Sequence, residues 1–276
     1  MSLKNSFCLF LQLLTLLILS SCGTSTLDVD VEMPNIRFQT PETTGKSLGG
    51  RAQMSLGSAH KISLARSRQP RNLFSSSPSS VQIETNTEYS VANSLGYGAD
   101  LGLVKWLDLT FSKRGESHFR GGLKAQLFGV KGMTGKGLKI ALQSSLGYQK
   151  DNDVSRADFL DNKPDVYDNV SALTYMRSVD AALLVGHRFN DTFLIYLNGN
   201  WEQNKVESSL SVNGQPTRSM DNTFTQHGLL LGVGISQGEK ETKLSTQIEA
   251  GLSKLQDRFG HEVNRRAWGV ALVMNF

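Results

Sequence analysis

The residue types that perform chemistry are all present in this chain, but their spacing argues against most of the reactions they support. His60, His118, His187, His227 and His261 are scattered, with no partner at metal-ligand or triad spacing, and each is most simply a rim or loop residue. The acidic run Asp151, Asp153, Ser155, Asp158, Asp161, Asp165 and Asp168 offers the oxygen donors that calcium takes. As an EF-hand loop it fails, because Arg156 stands where glycine is needed and Asn162 where glutamate is needed, and it reads as a solvated acidic loop. Thr44-Gly45-Lys46-Ser47 ends like a phosphate-binding loop, yet the required first glycine is Thr40 and no strand precedes it. These mismatches predict no catalytic residue, no metal and no cofactor.

A second set of charges has a clearer logic. Arg51, Lys61, Arg120, Lys124, Lys139, Arg188 and Lys243 fall on the polar faces of alternating segments, as do Glu88, Asp100, Asp108, Asp180, Glu202 and Glu249. The two signs nearly cancel. Charges in a confined, poorly hydrated space persist only when paired. A selective channel would more naturally line its path with one sign. The set therefore predicts a network of ion pairs filling an enclosed interior.

The elements that must hold these charges are strands. From Lys46 onward apolar and polar residues alternate with a period of two, and no convincing amphipathic helix interrupts them. The first strand, about 47–65, sets Ala52, Met54, Leu56, Ile62 and Leu64 against Arg51, Gln53 and Lys61. The second, about 82–103, sets Tyr89, Val91, Leu95, Tyr97 and Leu101 against Glu88, Gly96 and Asp100. Eight more follow, centred on Leu109, Leu123, Leu142, Leu183, Leu197, Leu231, Ile248 and Leu272, which makes ten. The breaks alternate in size. Those at 104–105, 131–137, 190–191 and 236–241 form one set, and those at 66–80, 113–116, 150–174, 208–221 and 257–264 form a longer one in which only 113–116 is short. Tyr89, Trp106, Tyr148, Phe189, Phe193, Trp201 and Trp268 lie near strand ends, where interfacial girdles would sit.

The final stretch sharpens this reading. Trp268, Val270, Leu272, Met274 and Phe276 form one continuous greasy stripe, and the stretch ends on an aromatic residue. It resembles the closing strand of bacterial outer-membrane β-barrels, in which the terminal phenylalanine belongs to the signal read by the assembly machinery. Short turns on one side and longer loops on the other also fit such barrels. In hydrocarbon every backbone polar group must be paired within the protein, so the sheet has to close. The fold class expected over 46–276 is an all-β, antiparallel up-and-down transmembrane barrel of about ten strands. A lipid-anchored soluble sandwich or calycin, with the greasy face inside, shows the same alternation and is the competing fold.

At the amino terminus Lys4 is followed by an apolar run over Phe7–Ile18 and then by Leu19-Ser20-Ser21-Cys22-Gly23. The run is short for a spanning helix and reads as a cleaved export signal over 1–21. The Leu-Ser-Ser-Cys sequence resembles the lipobox of bacterial lipoproteins, which implies acylation of Cys22. Gly23 after the cysteine resembles lipoproteins sorted to the outer membrane. Cys8 would leave with the signal, so disulfides and cysteine metal sites are excluded. Residues 22–45 show no sustained periodicity and read as a lipidated, disordered periplasmic tether.

A mean hydropathy of −0.25 and 39% hydrophobic residues look soluble. They are also compatible with a barrel, in which only alternate residues meet lipid. The net charge of +4 lacks any Lys/Arg block, which argues against nucleic acid. Barrel enzymes offer a further check. Asp151-x-Asp153 matches one acidic pair of the omptin proteases, but no Asp-x-His accompanies it, and the His-x-Ser-Asn segment of outer-membrane lipid hydrolases is missing. The expectation is a non-enzymatic outer-membrane barrel lipoprotein with a structural or adhesin-like role. Its expected partners are the bilayer, the assembly machinery and a surface ligand at the 150–174 loop. A narrow transport pore is the alternative.

Overall fold

The structure is a computed structural model, and it describes residues 24–70, 82–84, 87–115, 118–133, 135–151, 155–158, 170–212, 217–238 and 242–276. The expected export signal over 1–21 and Cys22 lie outside the described residues, as does most of the acidic run after Asp151. The strands in chain order are β1 (Thr24–Pro34), β2 (Gly50–Pro70), β3 (Gln82–Glu84), β4 (Glu88–Val104) and β5 (Leu107–Arg114). They continue with β6 (Phe119–Phe128), β7 (Gly137–Asp151), β8 (Ser155–Asp158) and β9 (Val170–Arg188). The last four are β10 (Phe193–Val212), β11 (Arg218–Gly238), β12 (Lys243–Asp257) and β13 (Glu262–Asn275).

Ten of these strands close into a ring. Antiparallel pairing runs from β2 through β4, β5, β6, β7, β9, β10, β11 and β12 to β13, and β13 pairs back onto β2. The closing ladder extends from Gly57↔Gly269 down to Arg51↔Asn275. Beyond it, the Gly50 and Phe276 amides each donate to the other's carbonyl at 2.8 and 2.9 Å. A side chain at position 50 would strike the Phe276 ring, with an added Cβ 2.2 Å from it, so the closing aromatic needs glycine beneath it.

The wall turns its greasy face outward. On β11, Leu231 is 56% exposed while its neighbour Leu230 is fully buried. On β10 the outward positions Phe193, Ile195, Leu197 and Trp201 are apolar, and above them Gln203, Lys205 and Glu207 are polar. A spanning strand needs only about 9–11 residues. The long strands β9 to β11 thus carry an apolar belt toward the short-turn end and continue past it as a polar-surfaced extension. Trp106, Tyr148, Phe189 and Trp268 are exposed on the outer surface. Tyr89 is not: it packs against a buried cluster and its hydroxyl donates to Asp257 at 3.0 Å.

β2 is where the wall divides. Above Gly57 it leaves β13, and the same edge takes up β1 from Pro34↔Ala59 to Thr24↔Pro70. The upper half of β2 crosses the barrel interior. His60 Nε2 comes within 3.3 Å of Ser253 Oγ, and Ile62 and Leu64 join Val31 and Met33 of β1 against Met176, Val206, Phe224 and Leu255 from the inward faces of β9 to β12. Ile62 and Leu64, which share a sequence face with the outward Met54 and Leu56, are buried in the upper interior.

The expected tether is corrected here for residues 24–45. Thr24–Pro34 is a strand, and the chain after it runs down inside the barrel. Asn35 donates its amide to Ser58, Ile36 lies beside Gly57, and Phe38 lies beside Gly269. Ile36 and Phe38 pack with Leu230, Ala267, Ala271 and Val273. Gly45 ends the descent against Gly132: a Cβ on Gly45 would lie 2.6 Å from Gly132 Cα, and both residues have positive φ. Glycine adopts that conformation without strain, and only glycine permits that approach. The segment lacks periodicity because its backbone is bonded by wall side chains and not by a ladder.

Candidate functional site

The wall's inward strand faces bring most of the expected charges together around the threaded segment 35–45. Among the expected set, Arg51, Asp108, Arg120, Lys124, Lys139, Asp180, Arg188, Glu202, Lys243 and Glu249 are buried, and Asp100 sits with them at a part-exposed edge. Lys61 and Glu88 lie elsewhere. Lys61 is 39% exposed at its side chain and pairs with Asp30 of β1 at 2.8 Å, because it sits where β2 has left the wall. Glu88 is exposed at the start of β4.

The pairing is not wall to wall alone. Glu42 of the threaded segment is fully buried and receives two hydrogen bonds from Arg188, Nε to Oε1 at 2.6 Å and Nη2 to Oε2 at 2.7 Å. Lys139 Nζ completes the site at 2.8 Å from Oε1. A bidentate guanidinium–carboxylate pair with a third cation is a strong, geometrically specific arrangement. Higher up, Arg37 of the segment pairs with Glu202, which Arg120 also holds at 2.6 and 3.1 Å while reaching Asp180 at 3.2 Å.

The segment's backbone is claimed as well. Glu249 Oε2 accepts the Phe38 amide at 2.9 Å, and Arg114 donates to the Ile36 and Arg37 carbonyls. Toward the short-turn end, Thr43 Oγ1 donates to the Lys105 carbonyl at 2.9 Å. Asp108 accepts from both the amide and the hydroxyl of Thr44 at 2.9 Å. Arg51 donates to the Glu42 carbonyl at 3.1 Å and joins Lys124 on Asp100, at 3.1 and 2.7 Å. Lys243 donates to the Asp191 carbonyl at 3.3 Å. The cavity left between Arg37, Arg51, Asp100, Arg114 and Lys124 measures about 30 Å³. That is room for about two waters.

Arg37, Glu42, Arg114 and Gln126 belong to this site but not to the expected set. Arg114 falls in the expected break at 113–116, and Arg37 and Glu42 fall in the expected tether. Two histidines are also placed differently from expectation. His60 and His118 are fully buried in the interior, whereas His187, His227 and His261 are exposed. His118 Nε2 lies 2.5 Å from Ser178 Oγ and 4.0 Å from Glu202, but its Nδ1 faces the Met176 sulfur at 3.2 Å. Among the described residues no carboxylate bonds Nδ1 of that ring in the manner of a nucleophile–base–acid triad. Among the described residues no group of three or more His, Cys, Asp or Glu could hold a metal ion.

The closing residues Trp268, Val270, Leu272 and Met274 stand on the outer face of β13 and Phe276 follows just past its end, each about half exposed. A closed ring of antiparallel strands, apolar outside and polar inside, defines the chain as a β-barrel of the transmembrane type.

No protein-family model matches the chain, and no curated protein does. Three solved structures show some likeness. The β domain of the Bordetella autotransporter BrkA is 11% identical at a TM-score of 0.35, over 83% of this chain and 99% of that one. The copper transporter OprC is 14% identical at 0.32, over 85% of this chain and 45% of that one. The Escherichia coli outer membrane protease OmpT is 8% identical at 0.27, over 92% and 95%. The fold assignment rests on the hydrogen-bonded ring and not on these likenesses.

Proposed function

We propose that the protein is a non-enzymatic outer-membrane β-barrel lipoprotein, acylated at Cys22, whose lumen is closed by its own amino-terminal segment. Its task on this reading is structural or surface-interacting, with the longer loops, including the one around 150–174, as the face offered to a partner. The observation that carries the reading is Glu42 held by Arg188 and Lys139 in the lumen. A transport path needs hydrated, accessible polar groups, and here the polar groups that would line one are spent on the threaded chain. The apolar outer belt supports residence in a bilayer, and the asymmetry of turns and loops supports an outer-membrane orientation with the short turns in the periplasm.

Purified protein in planar bilayers is expected to give no stable conductance steps. Well-defined steps that shift when Arg120 or Asp180 is neutralised would replace the plugged barrel with the pore. Intact mass of the mature protein is expected to show a chain beginning at Cys22 plus a diacyl or triacyl mass; an unmodified cysteine would remove the lipid from the reading.

A further inference from the structure

The two ends of the barrel chain leave on opposite sides. At the short-turn rim, Gly50 and Phe276 close the ring through their backbones, and the threaded segment arrives there at Thr44 and Gly45. Followed backward, the segment climbs past Phe38 beside Gly269 and Ile36 beside Gly57, and then becomes β1. β1 continues in the same direction. Its first residue, Thr24, pairs with Pro70, the last residue of β2, and its free edge pairs with β8 from Ser25↔Asp158 to Asp28↔Ser155. β8 lies within the connection between β7 and β9, one of the longer loops. Thr24 is therefore flanked on both sides by long-loop elements.

Distance keeps the preceding residues on that side. The eleven residues of β1 span roughly 33 Å at about 3.3 Å per strand residue. Cys22 precedes Thr24 by two positions, an extended reach of about 7 Å. The way back through the lumen is filled by segment 35–45 and its ion pairs, and the cavity left beside Arg37, Arg51 and Asp100 measures about 30 Å³. That space is far too small to pass an acyl chain.

From this we infer that the amino-terminal end is displayed on the cell-surface side of the barrel, so that a lipid on Cys22 is carried outside and not in the periplasmic leaflet. The inference rests on the outer-membrane orientation proposed above. It has a consequence for assembly. A lipidated end cannot be drawn through a closed, filled lumen, so the β13–β2 seam closes around a segment already in place.

The test inserts one short epitope at a time into the full-length protein: between Gly23 and Thr24, in the turn at 258–261, or in the turn at 189–192. Antibody binding is compared on intact and permeabilised cells, and each variant is first checked for its heat-modifiable folded band. The inference expects the amino-terminal epitope to bind on intact cells as fully as the one at 258–261, with the one at 189–192 detected only after permeabilisation. An amino-terminal epitope that needs permeabilisation while 258–261 does not would overturn the threading direction and leave the orientation standing. If 189–192 is the site reached on intact cells and 258–261 is not, the orientation itself fails and surface display fails with it. Should the insertion block folding, Thr24→Cys labelled with a membrane-impermeant maleimide gives the same comparison.

Discussion

Below Gly57 the barrel has an apolar outside and a charged inside; above it, the interior becomes an apolar core. One strand shows both. Met54 and Leu56 of β2 face outward within the closing ladder with β13, whereas Ile62 and Leu64, on the same alternating stripe, are buried against β9 to β12. The lower lumen is filled instead by Arg37, Glu42 and the wall charges that hold them. Alternation specifies that a strand has two faces. Which face is interior depends on what the strand packs against, and β2 changes neighbours halfway up.

This contrast can be broken at several points. The largest effect belongs to the lower half. Glu42→Gln leaves Arg188 and Lys139 without their carboxylate in a buried site, and unpairing a buried charge costs about 3–5 kcal/mol. Urea unfolding in detergent is expected to show a loss of that size; a loss below 1 kcal/mol, on the same scale, would mean the lumen is wet enough to solvate both cations.

In the upper half, Leu64→Ala is expected to cost about 2–5 kcal/mol, as for other buried leucines. Met54→Ala, lower on the same stripe, should cost much less, because Met54 is exposed on the outer surface. Equal penalties would contradict the change of environment along β2. On the belt, Leu231→Arg is expected to cost about 2–4 kcal/mol in lipid. Its neighbour Leu230 is no neutral control, since it is buried with Ile36 and Phe38, so Gln203→Arg, exposed on the outer side of β10 above the belt, serves better and should be the milder change. The smallest effect is expected from Lys205→Ala, above the belt. Its 2.8 Å pair with Glu207 is exposed, and the unfolding midpoint should not move.

The ring was largely legible from the sequence because period-two alternation and turn spacing survive in every wall strand. The charges that converge in the lumen were legible for the same reason: inward positions such as Arg120, Asp180 and Glu202 are fixed by parity alone. The threaded segment was not. Residues 35–45 are bonded by Arg114, Gln126, Asp108 and Glu249, which lie far away in the chain, so no local pattern marks them. Glu42 and Arg37 read as solvated charges of a polar linker until their partners are known. The division of β2 was marked only faintly, by Ser58 and His60 interrupting the stripe between Met54–Leu56 and Ile62–Leu64 where β2 leaves β13. β8 is too short to declare itself, and in β1 the alternation of Leu27, Val29, Val31 and Met33 with Asp28, Asp30 and Glu32 is set between polar flanks that read as linker.

The threaded lumen is tested most directly by a double-mutant cycle between Glu42 and Arg188. If the bidentate pair exists in the folded barrel, Glu42→Gln and Arg188→Met each destabilise it, and the double variant loses clearly less than the sum. The coupling should then exceed about 1 kcal/mol, within the 0.5–3 kcal/mol found for residues in contact. Strictly additive losses would place Glu42 away from Arg188 and contradict a barrel plugged by its own amino-terminal segment.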